Sequence, residues 1–426
     1  MRVLVVGGGG REHALAWALA NSPSVSEVHS APGNPGMAAV SECHPVAVDD
    51  LEGVARLAKR LGAGLVVVGP EAPLAAGLAD RVAAEGIPVF GPRAAGARLE
   101  SSKAYAKQLM ARYGIPTAAS QVFSDPDAAL AYVREQNGPL VVKADGLAAG
   151  KGVTVCEGPD DARSAVVEAM ESRRFGDAGS TVLIEERMEG EELSILALCD
   201  GKTVLPLPAA QDYKRAFDGG KGPNTGGMGS YSPVPSGTPE VVDEAMDRVF
   251  GPLVAGLAEL PEPYVGVVYA GLMLTGEGLK VVEFNCRFGD PEIQAVLPRM
   301  QADLGRAMLA CTSGDLAGER LECSEQACVC VVAASGGYPE ASPLPTGYEI
   351  TGVADAQAMP GIEVFHAATR TVDGRLTTAG GRVLSVSALG DDVAAARRLA
   401  YEAMDKVRFD GMRCRTDIGA AAAGEL

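Results

Sequence analysis

No stretch of the chain approaches the roughly 18 consecutive apolar residues that a membrane-spanning helix requires. The apolar start at Val3 breaks at Gly7 without a signal-peptide pattern, so the expectation is a cytoplasmic protein with no membrane partner. Positive charge is in deficit: 37 Lys and Arg stand against 55 Asp and Glu, a formal net charge of −18 spread along the chain. That balance argues against duplex DNA or an anionic bilayer as the main partner. Histidine is scarce, with four in 426 residues (13, 29, 44 and 366), and no two stand at metal-ligand spacing on a helix. Histidine-based metal hydrolysis is therefore disfavoured. The nine cysteines are scattered and include no CxxC pair, which fits neither a disulfide framework nor a zinc cluster. The single tryptophan, Trp17, reads as a core residue.

What is present describes a soluble, multidomain α/β protein. Hydrophobic residues make up 47% and charged residues 22%, ordinary for a globular chain long enough for two to four domains. The 53 glycines and 27 prolines follow no collagen period, so they read as turns and ligand loops. Short apolar runs (Val3 to Val6, Leu65 to Val68, Ile87 to Phe90) alternate with helical segments (Glu12 to Ala20, Pro73 to Ala84), the pattern of a doubly wound parallel sheet. Ser101 and Ser102 cap a helix that stops at Gly114-Ile-Pro116. Strands follow at 140–144, 153–156, 181–186 and 193–199, then a hairpin with arms 265–275 and 279–285. Residues 218–229 carry six glycines in twelve and are expected to form a mobile loop that a ligand orders. After Glu325 strands near 328–333, 362–366 and 382–386 and a helix over 391–408 indicate a separate α+β module.

Three segments carry chemistry. Gly7 to Gly10, between strand and helix, suits either a phosphate-binding turn or a merely tight turn. It is not a dinucleotide fingerprint, because Glu12 or His13 stands where the last glycine belongs. Lys143 ends a strand before Asp145-Gly146-Leu-Ala-Ala-Gly150-Lys151-Gly152. This departs from a Walker loop and reads as a glycine lid over a triphosphate, with a plain hairpin turn as the alternative. Glu283 and Asn285, two apart on an apolar strand, share one sheet face. Their oxygens suit Mg²⁺, and a solvent-facing polar pair is the plain alternative. Directly after them Arg287-Phe-Gly-Asp290-Pro-Glu292-Ile-Gln294 sets a cation beside two acids. Cys286 lies on the opposite strand face with nothing basic to activate it.

Together these residues resemble a known family. GGGGREHALAW at 7–17, GPEAPL at 69–74, KADGLAAGKGV at 143–153, QDYKR at 211–215, GPNTGGMG at 222–229, RFGDPEIQ at 287–294 and FDGMRCRTDIG at 409–419 are similar to segments of the phosphoribosylamine–glycine ligases. The resemblance spans essentially the whole chain. It implies an ATP-grasp fold with an N-terminal doubly wound α/β domain (1–100), an ATP-grasp domain (101–325; lid part about 118–190, larger catalytic part about 191–325) and a C-terminal α+β domain (326–426).

The implied reaction joins 5-phosphoribosylamine to glycine with ATP, in purine synthesis, with Mg²⁺ or Mn²⁺ as metal. The implied partners are these small molecules alone, with no nucleic acid, in a monomer or weak homodimer. By motif position, Lys103 and Lys143 hold ATP phosphates under Gly146, Gly150, Lys151 and Gly152. Glu185, Glu186 and Met188 bracket adenine, and Glu192 takes the ribose hydroxyls. Glu283 and Asn285 hold the metal; no acid stands on the preceding strand between Val265 and Gly276 to complete its shell. Arg287 is assigned to the glycine carboxylate or acyl phosphate, Asp212, Lys214 and Asp290 to phosphoribosylamine or glycine, and Gly8, Gly9, Gly10 and Glu71 to the sugar-phosphate end. The alternative readings are another ATP-grasp purine enzyme, a nicotinamide-dependent oxidoreductase built on the first turn, and a non-catalytic nucleotide-binding module.

Overall fold

The computed structural model describes residues 1–136, 138–148 and 152–425. Its first sheet contains β1 (Arg2–Gly7), β2 (Glu27–Pro32), β3 (Glu42–Cys43), β4 (Leu65–Val68) and β5 (Val89–Phe90). All are parallel, in the order β3-β2-β1-β4-β5. Val3 to Val6 and Leu65 to Val67 are inaccessible to solvent, because a parallel sheet covered on both faces needs continuous apolar strands. Each such side chain contributes about 1.5–3 kcal/mol of burial. The strand order reverses between β1 and β4, and ligands of such sheets sit beyond the strand ends at that switch. Gly8 to Gly10 follow β1, and Gly69-Pro70-Glu71 follow β4. The helix expected over 73–84 is two short helices, Glu71–Ala75 and Leu78–Ala83. Gly77 breaks it with φ of +89°, which residues other than glycine resist.

The helix Lys103–Tyr113 begins where Ser102 Oγ accepts the Tyr105 amide at 3.1 Å, and ends at Gly114 with φ of +66°. It leads into a four-stranded antiparallel sheet of order β6-β9-β7-β8: β6 (Ser120–Phe123), β7 (Leu140–Ala144), β8 (Val153–Cys156) and β9 (Val182–Glu186). A second antiparallel sheet runs Val204–Pro206, Glu191–Cys199, Gly266–Thr275, Gly278–Asn285. Its last two strands are the expected hairpin, turning at Gly276-Glu277 with Thr275 opposite Gly278.

The C-terminal strands Ala327–Ala334, Arg382–Gly390 and Ile362–His366 do not form a sheet of their own. Gly229–Ser232 and Gln211–Asp212 continue it on one side in a five-stranded antiparallel arrangement. The C-terminal α+β module thus shares its sheet with residues 211–232. Part of 218–229, whose glycine content argued against regular structure, is also paired. Lys221–Asn224 pairs with Arg215–Phe217, and Gly229 opens the next strand. The Gly226 amide donates to Tyr338 Oη at 3.0 Å, and Thr416 and the Gly219 amide bind Asp218 and Asp417. The glycines serve close approach: a Cβ on Gly227 (φ +107°) would lie 2.3 Å from Pro291 Cδ.

Candidate active site

A cavity of about 1160 Å³ is lined by β7, β8, β9, the hairpin, residues 211–226 and the turn 287–292. Lys103, Lys143, Gly152, Glu185, Glu186, Met188, Glu192, Asp212, Lys214, Glu283, Asn285, Arg287, Asp290 and Glu71 all line it. Gly146 does not line it; it packs with its Cα hydrogen toward Ala178, where a Cβ would come within 2.6 Å. Gly150 and Lys151 lie outside the described residues.

Lys143 is 4% exposed. Its ammonium pairs with Glu185 Oε2 at 2.7 Å and donates to the Val282 carbonyl at 3.0 Å. Glu185 also faces Lys107 at 3.0 Å, a cation that sequence reading did not single out. Burial lowers the Lys107 pKa against the pull of Glu185. The signal for Lys107 was available: it stands four residues after Lys103, on the same helix face. Lys103 itself makes no ion pair among the described residues, which leaves it free to meet an anion. Glu186 turns outward and accepts the Ala119 amide.

Glu283 and Asn285 project from one face of Gly278–Asn285, and their cross-strand neighbours are Gly271 and Tyr269. No acid faces Glu283 there, as the sequence indicated. Glu283 makes no hydrogen bond or ion pair among the described residues. Burial would raise its pKa, but Lys214, Lys103, Lys143 and Arg287 outweigh it and hold the carboxyl below its ordinary value. An ionised carboxylate with no protein donor attached, two residues from an amide oxygen, fits a hard divalent cation.

Arg287 is held between acids, with Nη2 at 3.1 Å from Glu100 Oε1 and Nε at 3.7 Å from Glu71 Oε2. Nη2 also reaches Asn285 Oδ1 at 3.3 Å. Burial works against its charge, but Glu100 and Glu71 prevail and the pKa rises. Glu71 is itself kept below the ordinary value, since Arg287 and Arg11 outweigh its burial. Asp290 is not a free base: it pairs with Arg382 Nη2 at 2.9 Å and accepts from Gln294 at 2.7 Å. Arg382 lies 92 residues away on a C-terminal strand with no local motif, which is why sequence reading missed it.

Gly8, Gly9 and Gly10 do not line the cavity. The Gly9 amide donates to Glu12 Oε2 at 2.7 Å, so an internal carboxylate caps this helix start. A Cβ on Gly8 would lie 2.6 Å from the Gly33 carbonyl oxygen, and one on Gly10 2.9 Å from Gln294 Nε2. These contacts favour the tight-turn alternative. Cys286 is buried, which raises its thiol pKa, and it is no nucleophile.

Lys214 donates to Glu192 Oε2 at 2.8 Å and stands 4.0 Å from Asp212 Oδ1. Beside them Tyr269 donates to Glu292 Oε1 at 2.5 Å and meets Ser194 Oγ at 2.9 Å. Burial pushes the Asp212 carboxyl up to about 7, Lys214 opposes the shift, and Glu292, Glu192 and Glu283 add to it. The unfolded chain ionises this group near about 4. Between about pH 4 and 7 the unfolded state therefore holds fewer protons, and stability falls as pH rises, levelling off above. Asp212→Asn is expected to remove that slope. Melting temperatures of the two proteins should converge near pH 4 and separate progressively to pH 7, with the variant higher; a pH-independent gap would contradict this.

Models of three consecutive domains match the chain: "Phosphoribosylglycinamide synthetase, N domain" over residues 1–100, its ATP-grasp (A) domain over 101–293 and its C domain over 328–421. A phosphoribosylamine–glycine ligase of Caulobacter vibrioides is 50% identical over 421 residues, covering 98% of each chain. The chain belongs to the phosphoribosylamine–glycine ligase family. Within that family, the Phenylobacterium zucineum protein is 49% identical over 426 residues and 100% of both chains. The solved phosphoribosylamine–glycine ligase of Thermotoga maritima superposes with a TM-score of 0.84 at 35% identity, over 98% of this chain and 100% of that one. The biotin carboxylase of Campylobacter jejuni (TM-score 0.70, 16% identity; 97% of this chain, 92% of that one) shares the ATP-grasp fold alone.

Proposed function

We propose that the chain is the ligase that converts ATP, 5-phosphoribosylamine and glycine to ADP, phosphate and glycinamide ribonucleotide, in the cytoplasm. What carries the reading is one cavity lined at once by Lys103 and Lys143, by Glu283 and Asn285, and by Arg287 and Asp290. It thus combines triphosphate, cation and carboxylate chemistry in a single space.

Glycine carboxylate is a poor electrophile, and transfer of the γ-phosphoryl group makes it glycyl phosphate. The amine of phosphoribosylamine then attacks the acyl carbon and phosphate leaves. Glu283 and Asn285 would hold magnesium or manganese, which supplies positive charge to the phosphates. Lys103, free of partners among the described residues, and Lys143, drawn from Glu185, neutralise charge that gathers on the transferring group. Glu185 to Met188 border the adenine end of the cavity, and Glu192 faces the ribose. Arg287 orients the glycine carboxylate with its guanidinium fork. Asp212, Lys214 and Asp290 face the two acceptors, and Glu71 holds the sugar-phosphate side through Arg287 and Arg11. The anchored strap at 218–229 walls the cavity and limits water that would hydrolyse the acyl phosphate.

Phosphate release from ATP and Mg²⁺ tests the reading, with glycine and freshly generated phosphoribosylamine added singly and together. Release that needs both is expected. Release that needs neither, or that accepts formate or bicarbonate in place of glycine, would assign the cavity to another ATP-grasp reaction.

A further inference from the structure

Two segments outside the cavity repeat one pattern, an acid two residues before a histidine: Glu27-Val28-His29 and Glu42-Cys43-His44. The first lies in β2, and the second begins with β3 and continues just past it. These strands are parallel neighbours with His29 directly opposite Glu42. Alternation along a strand places Glu27 and His29 on one sheet face and brings Glu42 and His44 to the same side. A search for helical histidine spacing cannot find such a set, because the two histidines meet across strands.

The side chains converge. His29 Nδ1 lies 3.1 Å from His44 Nε2 and 3.6 Å from Glu42 Oε2, and His44 Nε2 lies 3.9 Å from Glu42 Oε1. A tetrahedral zinc ion with bonds of 2.0–2.1 Å spaces its ligands about 3.3 Å apart. The nitrogen pair and the His29–Glu42 contact are near that spacing, and His44 meets the other oxygen of the same exposed carboxylate, whose rotation would bring one oxygen to both rings. His29 is 6% exposed, and its Nε2 has no hydrogen-bond partner. That nitrogen faces the Glu27 carboxylate at 3.6 Å, and Arg2 Nε holds Glu27 at 2.7 Å. A proton on Nε2, directed at Glu27, leaves the Nδ1 lone pair turned toward Glu42 and His44. This is the arrangement in which an outer carboxylate orients a metal-binding imidazole.

We propose that His29 Nδ1, His44 Nε2 and a Glu42 carboxylate oxygen bind a zinc ion, with Glu27 orienting His29 from behind and solvent taking the fourth position. Two imidazoles and one carboxylate select a borderline cation over magnesium. The ion clips the two-residue edge strand β3 to β2. It is distinct from the Glu283 and Asn285 position.

Full-length protein freed of metal and titrated with Zn²⁺ against a chromogenic chelator tests this. One zinc ion is expected to remain bound in Glu283→Gln. His44→Asn and Glu42→Gln should each weaken it at least about tenfold. Co²⁺ in place of zinc should give the intense visible bands of a tetrahedral ion, and these should vanish in both variants. Glu42 has a side chain 69% exposed, so Glu42→Gln decides the matter even if His44→Asn folds poorly. Zinc binding unchanged in Glu42→Gln, zinc binding lost in Glu283→Gln, or no retained zinc in the unsubstituted protein would each overturn the proposal.

Discussion

Glu283→Gln is expected to lower glycine-dependent phosphate release by about a thousandfold, the scale of removing a charge-stabilising group from a transition state. Glu283 is an ionised carboxylate without a protein partner among the described residues, surrounded by Lys214, Lys103, Lys143 and Arg287. Glutamine keeps the shape and an oxygen but gives up the charge that holds a divalent cation. The substitution also leaves four cations with one acid fewer, so a loss of activity must be separated from a loss of fold. The separating measurement is thermal melting with and without ATP and Mg²⁺. The variant should melt within a few degrees of the unsubstituted protein when free, yet fail to gain stability from the nucleotide and metal. A variant that turns over normally would remove Glu283 from the metal site.

Arg287→Ala carries the second large effect. The guanidinium is the cation nearest Asn285 on the 287–292 turn, and it is held by Glu100 and Glu71. Truncation removes the carboxylate-binding fork and leaves two acids facing an empty space. A loss of about 3–5 kcal/mol is typical when one partner of a buried pair is deleted. A hundredfold or greater fall in kcat/KM for glycine is expected, and Arg287→Lys should recover only part of it because a point charge cannot make the bidentate contact. The steady-state glycine dependence of both variants checks this. An Arg287→Ala protein that folds and keeps its glycine KM and kcat would show that another group binds the carboxylate.

Local signals carried much of this into the sequence. The parallel sheet was legible from Val3 to Val6 and Leu65 to Val68 because strands buried on both faces are written as unbroken apolar runs. The hairpin ending at Asn285 was legible because Gly276-Glu277-Gly278 interrupts two apolar runs. Ser102 and Gly114 marked both ends of one helix. The misreadings arose where distant chain decides the outcome. The glycines of 218–229 read as a loop without regular structure because composition does not report that Tyr338, Thr416 and Asp417 fasten the segment. Arg382 on Asp290 and Glu100 on Arg287 are contacts between residues 92 and 187 positions apart, and no spacing rule reaches that far. At Gly7 to Gly10 the sequence left a phosphate turn and a tight turn open, and the structure adds that the local Glu12 carboxylate caps the Gly9 amide.

The most direct measurement follows the oxygen atoms. Glycine labelled with ¹⁸O in its carboxylate is supplied with ATP, Mg²⁺ and phosphoribosylamine, and the released phosphate is analysed by mass spectrometry. Attack of the carboxylate on the γ-phosphorus must leave one glycine oxygen in the phosphate for each glycinamide ribonucleotide formed. One labelled oxygen per turnover is the expected result. Unlabelled phosphate released in step with product, or phosphate released without glycine, would contradict activation of glycine in this cavity.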